Sequence, residues 1–411
     1  SSLFGLNSQW GNFWSAGAMW DLKKENFLSD ISWLNQLQLK ASYGSVGNSS
    51  GLDPYMSFGL IGTGPLYGGQ SGTAVANPAN PDLTWEVVKS TNVGLSTRLF
   101  DRVSLDIEFY NRMTENMLME IPYSFTTGFA SGWGNVANMR NRGVDITANV
   151  DVLRDVNGFD WTISANVNYN KNEITYLPDG DELTSQATAV GYPYRNWYLR
   201  EWAGVDSQTG TPLWFKVDEN GKKTVTGDYN EATRVLLDEV PTPKFNGAIS
   251  TNLTWKGFTL NANFTFATGA MIYNGQRAGA IDRDCGRNSQ PPMKLKDGWS
   301  RWEKPGDIAT HPQLIDGGNN GADRESTRYL ENGDYFKLKS LSLAYSFPKR
   351  WLEPLGVKSA NLSVGGENLF TITSFSGQDP EILYSADYNG SAGSFGYPTV
   401  RRFTLGLNVQ F

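Results

Sequence analysis

The sequence predicts an all-β chain, a transmembrane antiparallel β-barrel segment of about eleven strands. Three observations carry that reading. Apolar and polar residues alternate strictly over windows of about ten residues. The polar faces are mostly small and uncharged. The connections between windows are short at one end and long at the other, as in outer-membrane barrels.

Alternation is plainest at the C-terminal end, where Phe403, Leu405, Leu407, Val409 and Phe411 share one face. Arg402, Thr404, Gly406, Asn408 and Gln410 share the other. Trp161, Ile163, Ala165, Val167 and Tyr169 alternate in the same way with Thr162, Ser164, Asn166, Asn168 and Asn170. The windows starting at Val144 and Phe258 repeat the pattern. A soluble β-sandwich also alternates, but its strands usually run about five or six residues. Its solvated face would also carry more Lys and Glu.

Composition agrees. Of 411 residues, 39% are hydrophobic, and no run of about 18 apolar residues offers a membrane helix. A barrel passes that test because only every second residue meets lipid. The aromatic share of 13% suits girdles at two interfaces. A formal charge of -7 without a basic cluster argues against nucleic acid as a partner. One cysteine, Cys285, excludes an intrachain disulfide framework. With one histidine, His311, it leaves little for zinc or for a nucleophile–histidine pair. No enzyme chemistry, cofactor or metal is expected. Asp179, Gly180 and Asp181 have the spacing of a calcium-loop start but lack its remaining ligand positions.

Short turns are read at 100–102, 153–158, 256–257 and 348–356, and long connections near 45–85, 116–142, 172–243, 272–334 and 371–400. With the C-terminus in the periplasm, the wall strands become 12–21, 35–45, 86–99, 103–115, 143–153, 159–171, 244–255, 258–271, 335–347, 357–370 and 401–411. The long connections are then extracellular. Residues 192–215 read as a hairpin inside one of them, since parity allows no single extra wall strand. About eleven is half of the twenty-two strands of plugged outer-membrane transporters. An odd antiparallel set cannot close alone, because an edge would face lipid unpaired. Residues 1–411 are therefore expected to be the C-terminal part of one barrel domain. The opening SSLFGLNSQW is already in mid-pattern, without a signal peptide, as in a fragment or processed product of something longer.

Several stretches resemble the SusC-like (RagA-type) family, the TonB-dependent transporters of Bacteroidetes outer membranes. They are NPDLTWEVVKSTNVGLS (80–96), NRGVDITANV (141–150), WTISANVNYNKNEI (161–174), AGVDSQTGTPLW (203–214), NGDYFKLKSLSLAYSFPKRWL (332–352) and LSVGGENLF (362–370). Each is weak alone; their order and spacing, from about residue 13 to 411, make the resemblance specific. It implies import of oligosaccharides or peptides, driven through the TonB complex and shared with a SusD-like surface lipoprotein. It also implies a plug, a TonB box and N-terminal barrel strands that these residues do not include. A passive porin-like channel and a structural or adhesive surface protein are the alternatives.

Candidate substrate-stacking residues are the aromatics of the long connections: Trp133, Trp197, Tyr198, Trp202, Trp214, Trp299, Trp302, Tyr384, Tyr388 and Tyr397. For any single one, a role as girdle or loop anchor is the weightier reading. Alternation points Asp106, Glu108, Asp145, Asp151, Glu367 and Arg402 inward, toward a plug or the hydrated lumen. The last strand, with Phe403, Leu405, Leu407, Val409 and terminal Phe411, resembles the signal read by the outer-membrane barrel assembly machinery, although Phe411 also suits a girdle. Outer-membrane lipid and lipopolysaccharide complete the expected partners.

Overall fold

The computed structural model describes residues 3–5, 7–50, 55–178, 182–183, 187–282, 293–315, 320–383 and 399–411. Eleven strands follow one another in a single sheet in chain order. They are β1 (Ser15–Asp21), β2 (Leu34–Asn48), β3 (Glu86–Leu99), β4 (Val103–Pro122), β5 (Ser131–Val156), β6 (Phe159–Tyr176), β7 (Phe245–Trp255), β8 (Phe258–Thr268), β9 (Tyr335–Ser346), β10 (Ser359–Thr373) and β11 (Arg402–Gln410). Each window of alternation has become one strand, and neighbours run antiparallel.

Two-residue turns close the short end where the sequence allows a left-handed backbone. Trp255 pairs with Phe258 across Lys256 and Gly257, whose φ values are 46° and 90°. That is the mirror-image turn whose twist matches a hairpin. The connection at 348–356 is instead two helical turns, Lys349–Leu352 and Glu353–Leu355.

The expected loop at 116–142 is corrected. β4 and β5 continue pairing as far as Pro122 with Ser131, across register shifts between Thr114 and Leu118. Asn116, at φ 55°, absorbs the first of the two shifts, and such bulges leave no periodic trace in sequence. The expected 192–215 hairpin is only partly formed: Trp202–Val205 pairs with Pro212–Val217, while Tyr198–Arg200 pairs with Arg234–Leu236. A further hairpin, Leu60–Tyr67 with Gln70–Asn77, stands within the 45–85 connection.

The chain divides into two compact units, residues 1–151 with 166–194, and residues 152–165 with 195–411. In the first unit the register lines up Trp20, Leu39, Leu95, Ile107 and Ile146, and beside them Ala18, Ala41, Val93, Phe109 and Val144. In the second, Trp255, Phe258, Tyr345, Leu362 and Leu407 form a row at the short-turn end. Leu253, Leu260, Leu343, Val364 and Leu405 form the next. These rows are not buried by the chain: Leu405 is 77% exposed and Phe109 58%. In water each such side chain would forgo about 1.5–3 kcal/mol of burial. Against hydrocarbon the same rows are favourable.

Packing between strands is close where Gly143 lies opposite Tyr110. A Cβ at Gly143 would stand 1.9 Å from the Tyr169 carbonyl oxygen and 2.4 Å from the Tyr110 hydroxyl. The Tyr110 side chain fills the notch and is itself buried. We expect Gly143→Val to destabilise the folded wall by about 1–3 kcal/mol through overpacking, read as a lower urea midpoint of the heat-modifiable form. Gly134→Val, which faces only movable Ile121 and Val136 side-chain carbons, should cost less.

Candidate functional site

In the first unit the polar face is a continuous hydrogen-bonded surface. Lys40 Nζ donates to Ser96 Oγ at 2.6 Å and lies 3.7 Å from Asp106 Oδ1; Ser96 in turn donates to Asp106. Glu108 stands opposite Asp145 in register, and Asn168 Nδ2 donates to Asp145 Oδ1 at 2.6 Å. Tyr110 donates to Asn170 Oδ1 at 3.0 Å. Asn170 and Asn172 both donate to Asn141 Oδ1, at 3.3 and 2.8 Å. Asp106, Glu108 and Asp145 thus share one polar wall whose dipoles are held in place. Asp151 lies near the short turns, its backbone N–H donating to Arg102 at 2.8 Å.

In the second unit Glu367 and Arg402 are register partners on β10 and β11. Arg402 Nη2 donates to both Glu367 oxygens, at 2.7 and 2.6 Å.

The candidate aromatics are mostly drawn into the packing of the long connections. Trp133 packs on the Phe4 and Leu83 cluster of the first unit. In the second unit Trp197 lies in a core with Leu199 and Leu237, and its indole donates to the Met271 carbonyl at 3.2 Å. Trp214 is fully buried, edge-on to Trp202 at 5.6 Å and to Tyr229 at 5.4 Å. Arg234 covers the Tyr198 ring at 5.9 Å, and Arg328 covers Trp202 at 4.7 Å. Tyr198, Trp202, Trp299 and Trp302 keep partial exposure. Tyr384, Tyr388, Tyr397, Cys285 and the Asp179–Asp181 segment lie outside the described residues.

The turn after Val205 shows why its sequence is so particular. Asp206 Oδ1 accepts from Gln208 N at 2.8 Å and Thr209 N at 2.9 Å, and these N–H groups hold its carboxyl below the usual range. Gly210 adopts φ +69°, and a Cβ there would stand 2.4 Å from the Trp302 ring. The Trp302 indole donates to Ser207 at 2.9 Å. The turn is therefore a seat for Trp302.

Sequence reasoning missed two ionic groups. Asp282 is fully buried, 2.9 Å from Arg277 Nε, 3.6 Å from Arg328 Nη2 and 3.7 Å from His311 Nε2. Burial pushes its carboxyl up, but His311, Arg277 and Arg328 outweigh that and hold it below the usual range. Arg277 also reaches Glu331 at 3.2 Å, and Glu331 accepts from Ser376 N at 2.8 Å. His311, the lone histidine, is thus part of a loop-locking network, its ring tilted against Trp299 at 4.7 Å. The second group centres on Lys337, 1% exposed, which donates to Asp379 and, at 2.7 Å, to Glu381. Lys337 falls in register with Thr265 and Thr371. A lysine on a polar strand face that needs a counter-ion was its only sequence signal.

Asp282→Asn leaves two guanidinium groups without their shared anion. We expect a local loss of about 3–5 kcal/mol, seen as faster hydrogen exchange in residues 293–315 and 320–330 with the strand amides unchanged. Burial pushes Asp379 and Glu381 up, yet Lys337 and their other hydrogen bonds leave both below the ordinary value. Their pairing is therefore fully present above a pH of about 4 and is lost as pH falls through the lowered range. Exchange protection of residues 375–383 should accordingly fall as the pH drops below about 4, and Lys337→Met should abolish this pH dependence.

Residues 2–369 match the family model described as TonB dependent receptor-like, beta-barrel. Over its whole length the chain is 30% identical to TonB-dependent receptor P3 of Formosa agariphila and 26% identical to TonB-dependent receptor SusC of Bacteroides thetaiotaomicron, covering 43% and 41% of them. It is similar to the solved RagAB peptide transporter at 30% identity and a TM-score of 0.82, covering all of this chain and 44% of that one. The chain spans less than half the length of these relatives. With its eleven-stranded antiparallel sheet, it belongs to the β-barrel family of TonB-dependent receptors of the outer membrane and resembles SusC.

Proposed function

We propose that the chain supplies the C-terminal part of the wall of an active importer of oligosaccharides or peptides. Import is driven through TonB and shared with a SusD-like surface lipoprotein. The observation that carries this reading is the whole-chain likeness to SusC and to the RagAB peptide transporter. The polar wall of Asn141, Asn168, Asn170, Tyr110 and Asp145 supports it. Fixed amide, hydroxyl and carboxylate groups suit hydrated, hydrogen-bonding solutes such as sugars and peptide backbones. In this reading the long connections face outward from the cell and the polar face lines the lumen. A plug and a TonB-contacting segment would come from outside residues 1–411. The partly exposed Tyr198, Trp202, Trp299 and Trp302 would flank the entrance. The β11 row from Phe403 to Phe411 would engage the assembly machinery.

The test is growth and uptake in a strain lacking the intact receptor, supplied with defined peptides or oligosaccharides as the sole nutrient. We expect loss on one class, with equal loss when TonB is disabled. Uptake that persists without TonB would overturn the active mechanism in favour of a passive channel. Glu367→Ala and Arg402→Ala, which break one exposed pair, should leave the amount of heat-modifiable barrel unchanged and alter uptake. Lost membrane insertion in either variant would show that the pair does not face the lumen.

A further inference from the structure

On the apolar face of the first unit, register fixes which residues stand at one height. Val93, Phe109 and Val144 are partners in an apolar row. Two residues nearer the long connections, an advance of about 7 Å, the row is Tyr43, Thr91, Asn111 and Arg142. Two further on it is Ser45, Lys89, Met113 and Arg140. Tyr43 packs on Trp14 at 5.4 Å, and such aromatics mark the depth at which hydrocarbon gives way to headgroups.

β6 adds to these rows. Its Asn170 and Asn172 bond to Asn141 on the polar face, so the alternating Lys171 and Glu173 lie on the apolar face with Arg140 and Arg142. One oxygen, Glu173 Oε2, stands 3.2 Å from Arg140 Nη2, 3.9 Å from Arg142 Nη2 and 3.4 Å from Lys171 Nζ. Three cations against one carboxylate leave the cluster two positive charges in surplus. The nearby Lys89 does not share that anion, since it is paired with Glu115 at 2.6 Å. Arg140 Nε is buried with no hydrogen-bond partner among the described residues. The Arg142 and Lys171 side chains are about half exposed.

A surplus of cation on a lipid-facing wall needs an anion from its surroundings. At headgroup depth the available anion is phosphate, which guanidinium groups bind through paired N–H donors. We propose that Arg140, Arg142 and Lys171 form a binding site for the phosphate of an outer-leaflet lipid headgroup, with Glu173 holding the two guanidinium groups in place. This goes beyond import: the site lies on the face opposite the polar wall, and it rests on the strands spanning the membrane with the long connections outward, as in the reading above.

The test uses the intact receptor in detergent and measures retention of bisphosphorylated lipid A, the same lipid after removal of its phosphates, and inorganic phosphate. We expect Arg140→Gln with Arg142→Gln to lower lipid A retention by about tenfold or more, with the dephosphorylated lipid held weakly by both proteins. Lys171→Gln alone, the mildest change to the wall, should weaken retention in the same direction. Equal retention by the parent and both basic-residue variants would overturn the proposal. So would equal retention of the dephosphorylated lipid, or displacement of lipid A by millimolar inorganic phosphate, which would mark a free-anion site. Uptake of nutrient should be unchanged in Lys171→Gln, which separates failure here from failure of the importer reading.

Discussion

Hydrocarbon offers no partner to a peptide N–H or C=O, and each one left unpaired there costs several kcal/mol. That constraint sets the length of the strands, their antiparallel order and the tightness of the Lys256–Gly257 turn. It also explains why the ladder tolerates a slip between Thr114 and Leu118, above the apolar rows, where water can serve the odd group. Beyond the rows the solvent changes and the rule for side chains reverses. Leu405 and Phe109 point away from the chain, whereas Trp214 and Ile174 are fully buried within it. One sequence answers to two solvents within a few turns of backbone.

That contrast explains what could be read in the sequence. Lipid on one side and polar surroundings on the other impose a period of two with little freedom, so the eleven wall strands and the grouping of Asp106, Glu108 and Asp145 on one face follow from alternation alone. The long connections obey no such period. The continuation of β4 and β5 passes through two register shifts, the first at Asn116. The Asp282 network joins residues 277, 282, 311, 328 and 331, which no local pattern relates. The candidate aromatics illustrate the same limit: composition placed them in the loops, but only packing separates buried Trp214 from partly exposed Trp302.

Because so much aromatic area serves to order the loops, the entropy of fixing them is met during folding. The polar wall follows the same logic at the level of single groups. Asn141 already accepts two amide bonds, and Asp145 already holds Asn168. Such a wall presents donors and acceptors that are oriented and already partly engaged with one another.

The Asp282 carboxylate has a consequence for how such loops can diversify. Its partners come from a helical turn, from the strand-like stretch around His311 and from Arg328, while Arg277 carries the linkage on to Glu331 and Ser376. Exchanging one of these pieces alone would leave the buried Asp282 carboxylate short of a partner. A chimera that grafts only residues 293–315 from a relative would import a loop without its anchor. Transplantable units in this barrel are therefore sets of segments distant in sequence, to be exchanged together as a cassette rather than residue by residue.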